Sequence, residues 1–315
     1  LKKYTWLIIL GLLVIVAASA VYAGKMHRVP ERTTAGSVYQ APAGHSPGLD
    51  TQKQASTPDA NMQSAGRPLK KNGQPPAAVK TTTGLSNVKH GWGIKRNDNH
   101  QQPEMPSGIS STLARYGAWW IGKPDEKTVY LTFDEGYENG YTPKILDILK
   151  ADNVRAAFFV TGHYIKSQPE LVKRMVAEGH TVGNHTMNHP SLPEIGDGQI
   201  KTELQSVETM FNKLTGQQMH YLRPPKGEYS ERTLALTREL GYHNIFWSLA
   251  LVDWVPMPGG PEEAYRSVMD NLHPGALILL HAVSKDDTEA LDRMIKDIRA
   301  QGYSFKTLDD LVKGK

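Results

Sequence analysis

The chain contains no cysteine. Disulfides, thiolate nucleophiles and thiolate metal ligands are therefore excluded, and any metal site must be built from His, Asp or Glu. Twelve histidines leave room for one. No glycine-rich phosphate loop follows the first strand-like run, which argues against a dinucleotide-binding fold. Basic charge is scarce where a nucleic-acid surface would need it. The whole chain carries +4, but residues 24–110 hold 11 Lys+Arg against 5 Asp+Glu and Lys2 and Lys3 add two more, so residues 111–315 carry a net −4. The basicity belongs to the N-terminal part, and no nucleic-acid partner is expected.

Long apolar runs are scarce too. Residues 1–23, LKKYTWLIILGLLVIVAASAVYA, place two lysines before about 18 apolar residues, enough to cross a hydrocarbon core of ~30 Å. The small residues Ala18-Ser19-Ala20 suit a signal-peptidase site equally well. Either a cleaved signal peptide or a membrane anchor puts the remainder outside the cytoplasm, secreted to the cell wall or tethered to the membrane. Residues 24–87 are rich in Pro, Gly, Ser, Thr, Gln and Lys with isolated aliphatics, too little apolar surface to offset chain entropy. They are expected to form a flexible linker.

From Val88 to the end at residue 315 the sequence becomes regular. TVYLTFD is followed by Thr142-Pro143 and KILDILK, read as a capped helix with one apolar face. RAAFFVTG follows, then Ser167-Gln-Pro-Glu170, read as a capping box before LVKRMVAEG. HTVGNH precedes a long helix whose apolar residues Ile200, Leu204, Val207, Phe211 and Leu214 fall at helical spacing up to Gly216. MHYLRPP, a helix from Ser230, HNIFWSLAL, a helix near Glu262, ALILLHA, a last long helix and SFKTL complete the alternation. Strand and helix in strict alternation demand a largely parallel sheet, and LTF, AAFFV and ALILL are apolar on both faces, as buried parallel strands are. The expectation is an α/β fold, an irregular parallel (β/α) barrel of seven strands. An open doubly wound sheet is the second choice.

Reactive residues fall at the strand ends. Asp134 and Glu135 end the first strand, His185 the third, Arg223 the fourth, Asp253 the fifth and His281 the sixth. In a parallel barrel these ends open on one face, where catalytic groups gather. His185 and His189 stand four apart, a spacing at which two imidazoles grip one ion, although HxxxH alone is a weak signal and Pro190 disfavours helical geometry. Asp134 and Glu135 point in opposite directions, because neighbouring side chains alternate across a strand, so one can face a metal and the other a water. A glycosidase needs two carboxyls facing each other across a bond, which adjacent residues suit poorly. Arg223 is read as a fixed positive charge that keeps an acid ionised, and Asp253 as the partner that orients His281.

The blocks TFDEG (132–136), HTMNH (185–189), RPPKG (223–227), VDW (252–254) and ILLH (278–281) resemble, in order, the signatures of polysaccharide deacetylases, the NodB-homology carbohydrate esterases. With GYENGYT, FFVTGH and WGIKRNDNHQ they look most like the subfamily that deacetylates N-acetylmuramic acid in peptidoglycan on the way to δ-lactam, a spore-cortex modification. The resemblance implies a monomer acting on glycan strands, with membrane contact only through an uncleaved N-terminal segment. It implies a divalent metal, zinc, on Glu135, His185 and His189, with Asp134 as general base. It further implies His281 as proton donor tuned by Asp253, Arg223 as the restraint on Asp134, and the Lys226 N–H as an oxyanion donor. Trp254, Leu279 and Tyr137 are the expected substrate contacts. Glu135 stands where the metal-binding members carry Asp. Lys226 stands where glucosamine-acting members carry an aromatic residue, which suggests pairing with the lactyl carboxylate. Two alternatives stay open: deacetylation of N-acetylglucosamine, and an inactive wall-binding protein.

Overall fold

Thr128–Glu135 forms β1, buried along its whole length because both faces of the strand are covered. The computed structural model describes residues 84–106 and 108–313. The apolar segment 1–23 and all but the last four residues of the expected linker lie outside the described residues. Among the described residues no helix is long and apolar enough to cross a membrane.

The strands after β1 are short: β2 (Ala157–Val160), β3 (Thr181–Asn184), β4 (Tyr221–Leu222), β5 (His243–Asn244), β6 (Leu249–Ala250), β7 (Ala276–His281) and β8 (Ser304–Phe305). Every pairing is parallel, in the order β5-β4-β3-β2-β1-β7-β6. That is the cyclic order of a seven-stranded barrel left open between β5 and β6. β8 pairs with the foot of β1, at Thr128 and Val129. The expected single strand HNIFWSLAL is therefore two. Its start pairs with β4 and its end with β7, so the run crosses from one side of the opening to the other. Trp119, from the segment before β1, fills the gap: its N–H donates to Asn244 O and its carbonyl accepts from Phe246 N–H, both at 2.8 Å.

Helices pack outside: α1 (Ile109–Arg115), α2 (Thr142–Ala151), α3 (Gly162–Ser167), α4 (Pro169–Ala177), α5 (Asp197–Thr215), α6 (Glu231–Glu239), α7 (Gly260–Met269), α8 (Lys285–Ala300) and α9 (Leu308–Lys313). α5 carries the expected apolar stripe and ends on Gly216 at φ 74°. α6 starts at a reciprocal capping box between Ser230 and Thr233. Two expected caps are absent. Thr142 lies inside the first turn of α2 with its side chain buried, Tyr141 being the N-cap. Ser167 ends α3, and its hydroxyl donates to the carbonyls of His163 and Tyr164 instead of capping α4.

The core follows the strand alternation. Val129, Leu131 and Phe133 of β1 join the large cluster between sheet and helices. Tyr130 joins Ala157, Phe159, Tyr221 and Leu277 inside the barrel. A third cluster ties the leader to the barrel: Trp92 stacks on Phe246 at 4.2 Å and its Nε1–H donates to Trp247 O at 3.0 Å. Ordered contacts start before Val88, since Asn87 Nδ2 donates to Pro193 O and Ser86 O accepts from Arg232 N–H.

Gly183 of β3 shows how tightly the interior is filled. A Cβ there would lie 2.6 Å from the Phe159 ring and 3.1 Å from Tyr221 O. Gly183→Ala is expected to lower stability by about 1–3 kcal/mol through overpacking. A denaturant midpoint equal to wild type would contradict this packing.

Candidate active site

The upper ends of β1 and β4 meet in a buried ion pair. Asp134 shares the β1 face of Tyr130 and Thr132, which points into the barrel. Its Oδ1 accepts from Arg223 Nη1–H at 2.7 Å. Arg223 is completely buried. Its Nε–H donates to Ile245 O at 3.2 Å and Nη2–H to Phe246 O at 3.4 Å, while the guanidinium lies 4.2 Å from the Phe159 ring centroid. Burial alone would raise the Asp134 pKa. The Arg223 charge, with His185 and His281, outweighs it and holds the carboxyl below the usual carboxylate range. Asp134 is thus ionised at neutral pH although almost dry.

Two imidazoles face this carboxylate. His185 Nδ1 lies 2.8 Å from Arg223 O, and a carbonyl can only accept, so Nδ1 carries the proton and Nε2 offers a lone pair. His185 Nε2 lies 3.6 Å from Asp134 Oδ2 and 3.1 Å from His189 Nε2. Burial and neighbouring positive charge hold both rings neutral, His189 down to about 3. The loop that brings them together is strained: Thr186 and His189 adopt φ 67° and 58°. Such conformations cost about 1–3 kcal/mol each and persist only where surroundings over-determine them. Here Asn184 Oδ1 accepts from Thr186 N–H and Thr186 Oγ1 from His189 N–H, both at 2.9 Å. Glu203 of α5 accepts the main-chain and side-chain N–H groups of Asn188, both at 2.8 Å.

Across the site, His281 ends β7 beside Asp134 in the sheet register. Asp253 takes the His281 main-chain N–H at 2.6 Å and Nδ1–H at 2.7 Å. Burial pushes the imidazole pKa down, but the Asp253 charge and hydrogen bond carry it up on balance. Trp254 sets its ring edge-to-face on His281, centroids 5.2 Å apart. Leu279 is buried on β7 two residues before His281, hence on the same strand face. Lys226 is exposed in the turn after Arg223 with φ 60°, and its charge acts on His189. Tyr137 is exposed beyond β1.

Glu135 does not join this group. It shares the β1 face of Leu131 and Phe133 and turns toward the helices, where it is fully buried. Oε1 accepts from Thr142 Oγ1 at 3.4 Å and no donor among the described residues reaches Oε2. Burial, with Glu138 and Asp134 nearby, raises its pKa well above the usual carboxylate range. Among the described residues no three His, Asp or Glu are grouped as a metal cage. The paired Nε2 atoms, with His185 Nδ1 anchored to a carbonyl, do fit a divalent ion as two ligands. The Glu135 carboxyl lies on the other face of β1, with Thr142.

The sequence reading missed Glu203. Its signal was an acid beside Leu204 and three residues after Ile200, on the apolar stripe of α5. Thr142, Asn184 and Phe159 were likewise read only as cap or strand residues.

Removing the buried cation is expected to be costly. Arg223→Met should lose about 3–5 kcal/mol in chemical denaturation, and Arg223→Lys should recover only part of it, because lysine lacks the flat fork. A loss below about 1 kcal/mol would contradict the buried pairing. Equilibrium dialysis should find the same number of divalent ions bound to Glu135→Gln as to wild type, and fewer to His189→Ala. Loss of the ion from Glu135→Gln would restore that residue as a ligand.

Residues 121–245 match the polysaccharide deacetylase family. The chain is 54% identical over 237 residues to an uncharacterized 30.6 kDa protein of Geobacillus stearothermophilus, covering 75% of this chain and 89% of that one. It is 51% identical over 223 residues to the peptidoglycan-N-acetylmuramic acid deacetylase PdaA of Bacillus subtilis, covering 70% and 85%. The solved structure of that Bacillus subtilis protein, a family 4 carbohydrate esterase, superposes with a TM-score of 0.70 at 49% identity, over 73% of this chain and 99% of that one. The chain therefore belongs to the polysaccharide deacetylase family and is an amide-hydrolysing enzyme of that class.

Proposed function

We propose that the enzyme removes the acetyl group from N-acetylmuramic acid in peptidoglycan glycan strands, a step toward muramic δ-lactam. The observation that carries this reading is the convergence of an ionised Asp134, a neutral imidazole pair and the Asp253-oriented His281 at one rim. Similarity to a protein named for N-acetylmuramic acid deacetylation supports the choice of sugar.

Asp134 takes a proton from water as the oxygen attacks the acetyl carbonyl carbon. The Lys226 main-chain N–H donates to the oxyanion. His281 passes its proton to the amine nitrogen, the C–N bond breaks, and acetate and the free amine leave. His185 and His189 would hold a divalent ion, zinc by the family resemblance. Bound there, such an ion acidifies water and polarises a carbonyl oxygen. Trp254 and Leu279 shape the acetyl pocket, Tyr137 lines the approach, and the Lys226 ammonium pairs with the lactyl carboxylate. The substrate implies a location outside the cytoplasm, with residues 1–23 as signal peptide or anchor and 24–87 as linker.

Asp134→Asn should lower acetate release by roughly 10²–10⁴-fold. Mass spectrometry of digested strands should find the acetyl lost from muramic acid, with peptide-free strands preferred. Loss from glucosamine alone would overturn the substrate, and no release from any glycan would leave a wall-binding protein. Lys226→Ala should reduce activity on muramic acid far more than on glucosamine oligomers, and equal losses would reject the lactyl contact.

A further inference from the structure

The two imidazoles at the rim are held in different ways. His185 is anchored through its own ring, since Nδ1–H donates to Arg223 O at 2.8 Å. A ligating histidine ordinarily has such an acceptor behind it, which fixes the direction of the ring. His189 lacks one. Among the described residues, the hydrogen-bond partner of its ring is His185 Nε2 alone, at 3.1 Å. The aim of the His189 ring therefore rests on its main chain.

That main chain sits in an unfavourable conformation. His189 has φ 58° and precedes Pro190, a position that favours extended backbone. His189 N–H donates to Thr186 Oγ1 at 2.9 Å, which closes the turn from within. Two helices grip the turn from outside. Gly162 N–H, at the start of α3, donates to Thr186 O at 3.0 Å. From α5, Glu203 Oε2 accepts from Asn188 N–H and Oε1 from Asn188 Nδ2–H, both at 2.8 Å. The neighbouring Leu204 O accepts from Asn184 Nδ2–H at 3.0 Å. Asn188 immediately precedes His189, so the two prongs of Glu203 are the last outside grip before the ring. The next lies beyond it, where Arg232 Nη2–H donates to the carbonyls of Pro193 and Ile195.

Glu203 stands on the apolar stripe of α5 beside Ile200, Leu204 and Val207, and is 6% exposed. A buried carboxyl there is costly unless its oxygens are engaged. Asn188 engages both. We propose that Glu203 is a positioning residue: its two-pronged hold on Asn188 locks His189 in the left-handed turn, brings its Nε2 beside that of His185, and so presets the pair for one divalent ion. Without the hold, the ion itself would have to order His189, and the entropy of that ordering would weaken binding. This role rests on the two imidazoles holding an ion. It adds that a residue touching neither ion nor substrate sets the affinity.

The test is a zinc titration of the full chain in competition with a chromophoric chelator, joined to hydrogen exchange of the His189 amide in the zinc-free protein. Glu203→Ala should weaken zinc by about 10–100-fold and speed exchange of the His189 amide. Glu203→Gln should stay close to wild type in both. Its carbonyl accepts from Asn188 N–H, and its NH₂ donates to the Asn188 side-chain oxygen once that amide turns over. Asn188 is exposed, so Asn188→Ala serves if the buried alanine does not fold; with one prong lost, it should weaken zinc as well. Unchanged zinc affinity in whichever alanine variant folds would reduce Glu203 to a packing role and overturn the proposal. Equal losses in Glu203→Gln and Glu203→Ala would mean that the charge and not the grip matters, and would overturn it too. Wild type that binds no zinc would overturn the ion reading instead. The hold would then be judged by the His189 amide, exchanging faster in Glu203→Ala if Glu203 keeps the turn and unchanged if it does not.

Discussion

The site depends on the buried contact between Arg223 and Asp134. An isolated carboxylate in a dry interior would take up a proton and lose its use as a base. Arg223 prevents that at 2.7 Å, and it is itself held by two carbonyls and the Phe159 ring. The carbonyl of the same Arg223 fixes the proton of His185 on Nδ1. One residue thus sets the charge of the base and the tautomer of the imidazole facing it.

The fold supplies the convergence. Parallel pairing puts the ends of β1, β3, β4 and β7 at one rim, so residues more than a hundred positions apart become neighbours. The barrel is open between β5 and β6, and the leader covers the opening through Trp119 and Trp92. That cover buries the backbone at Ile245 and Phe246, the two carbonyls that hold the guanidinium. Packing of the leader and electrostatics of the site are therefore linked.

Much of this was legible in the sequence. Apolar runs without alternation marked buried parallel strands, and reactive residues at their ends marked the rim. The pairings Asp134–Arg223, His185–His189 and Asp253–His281 all appear. Glu135 was expected as a ligand by positional analogy, whereas strand alternation places it opposite Asp134, with its carboxyl against Thr142. Thr142 and Ser167 matched cap patterns, but tertiary contacts turned their side chains elsewhere. The run HNIFWSLAL looked like one strand because composition records apolarity and not a change of partner. Glu203 was invisible for another reason. A polar side chain facing inward from a helix is recognised only once its partner is located.

The most direct test of the account is a carbon NMR titration of the Asp134 carboxyl in the native enzyme. The account predicts a midpoint below the ordinary aspartate value of about 3.9. A midpoint above that value would mean that burial outweighs Arg223, and would contradict the claim that a dry, ionised base waits at the rim.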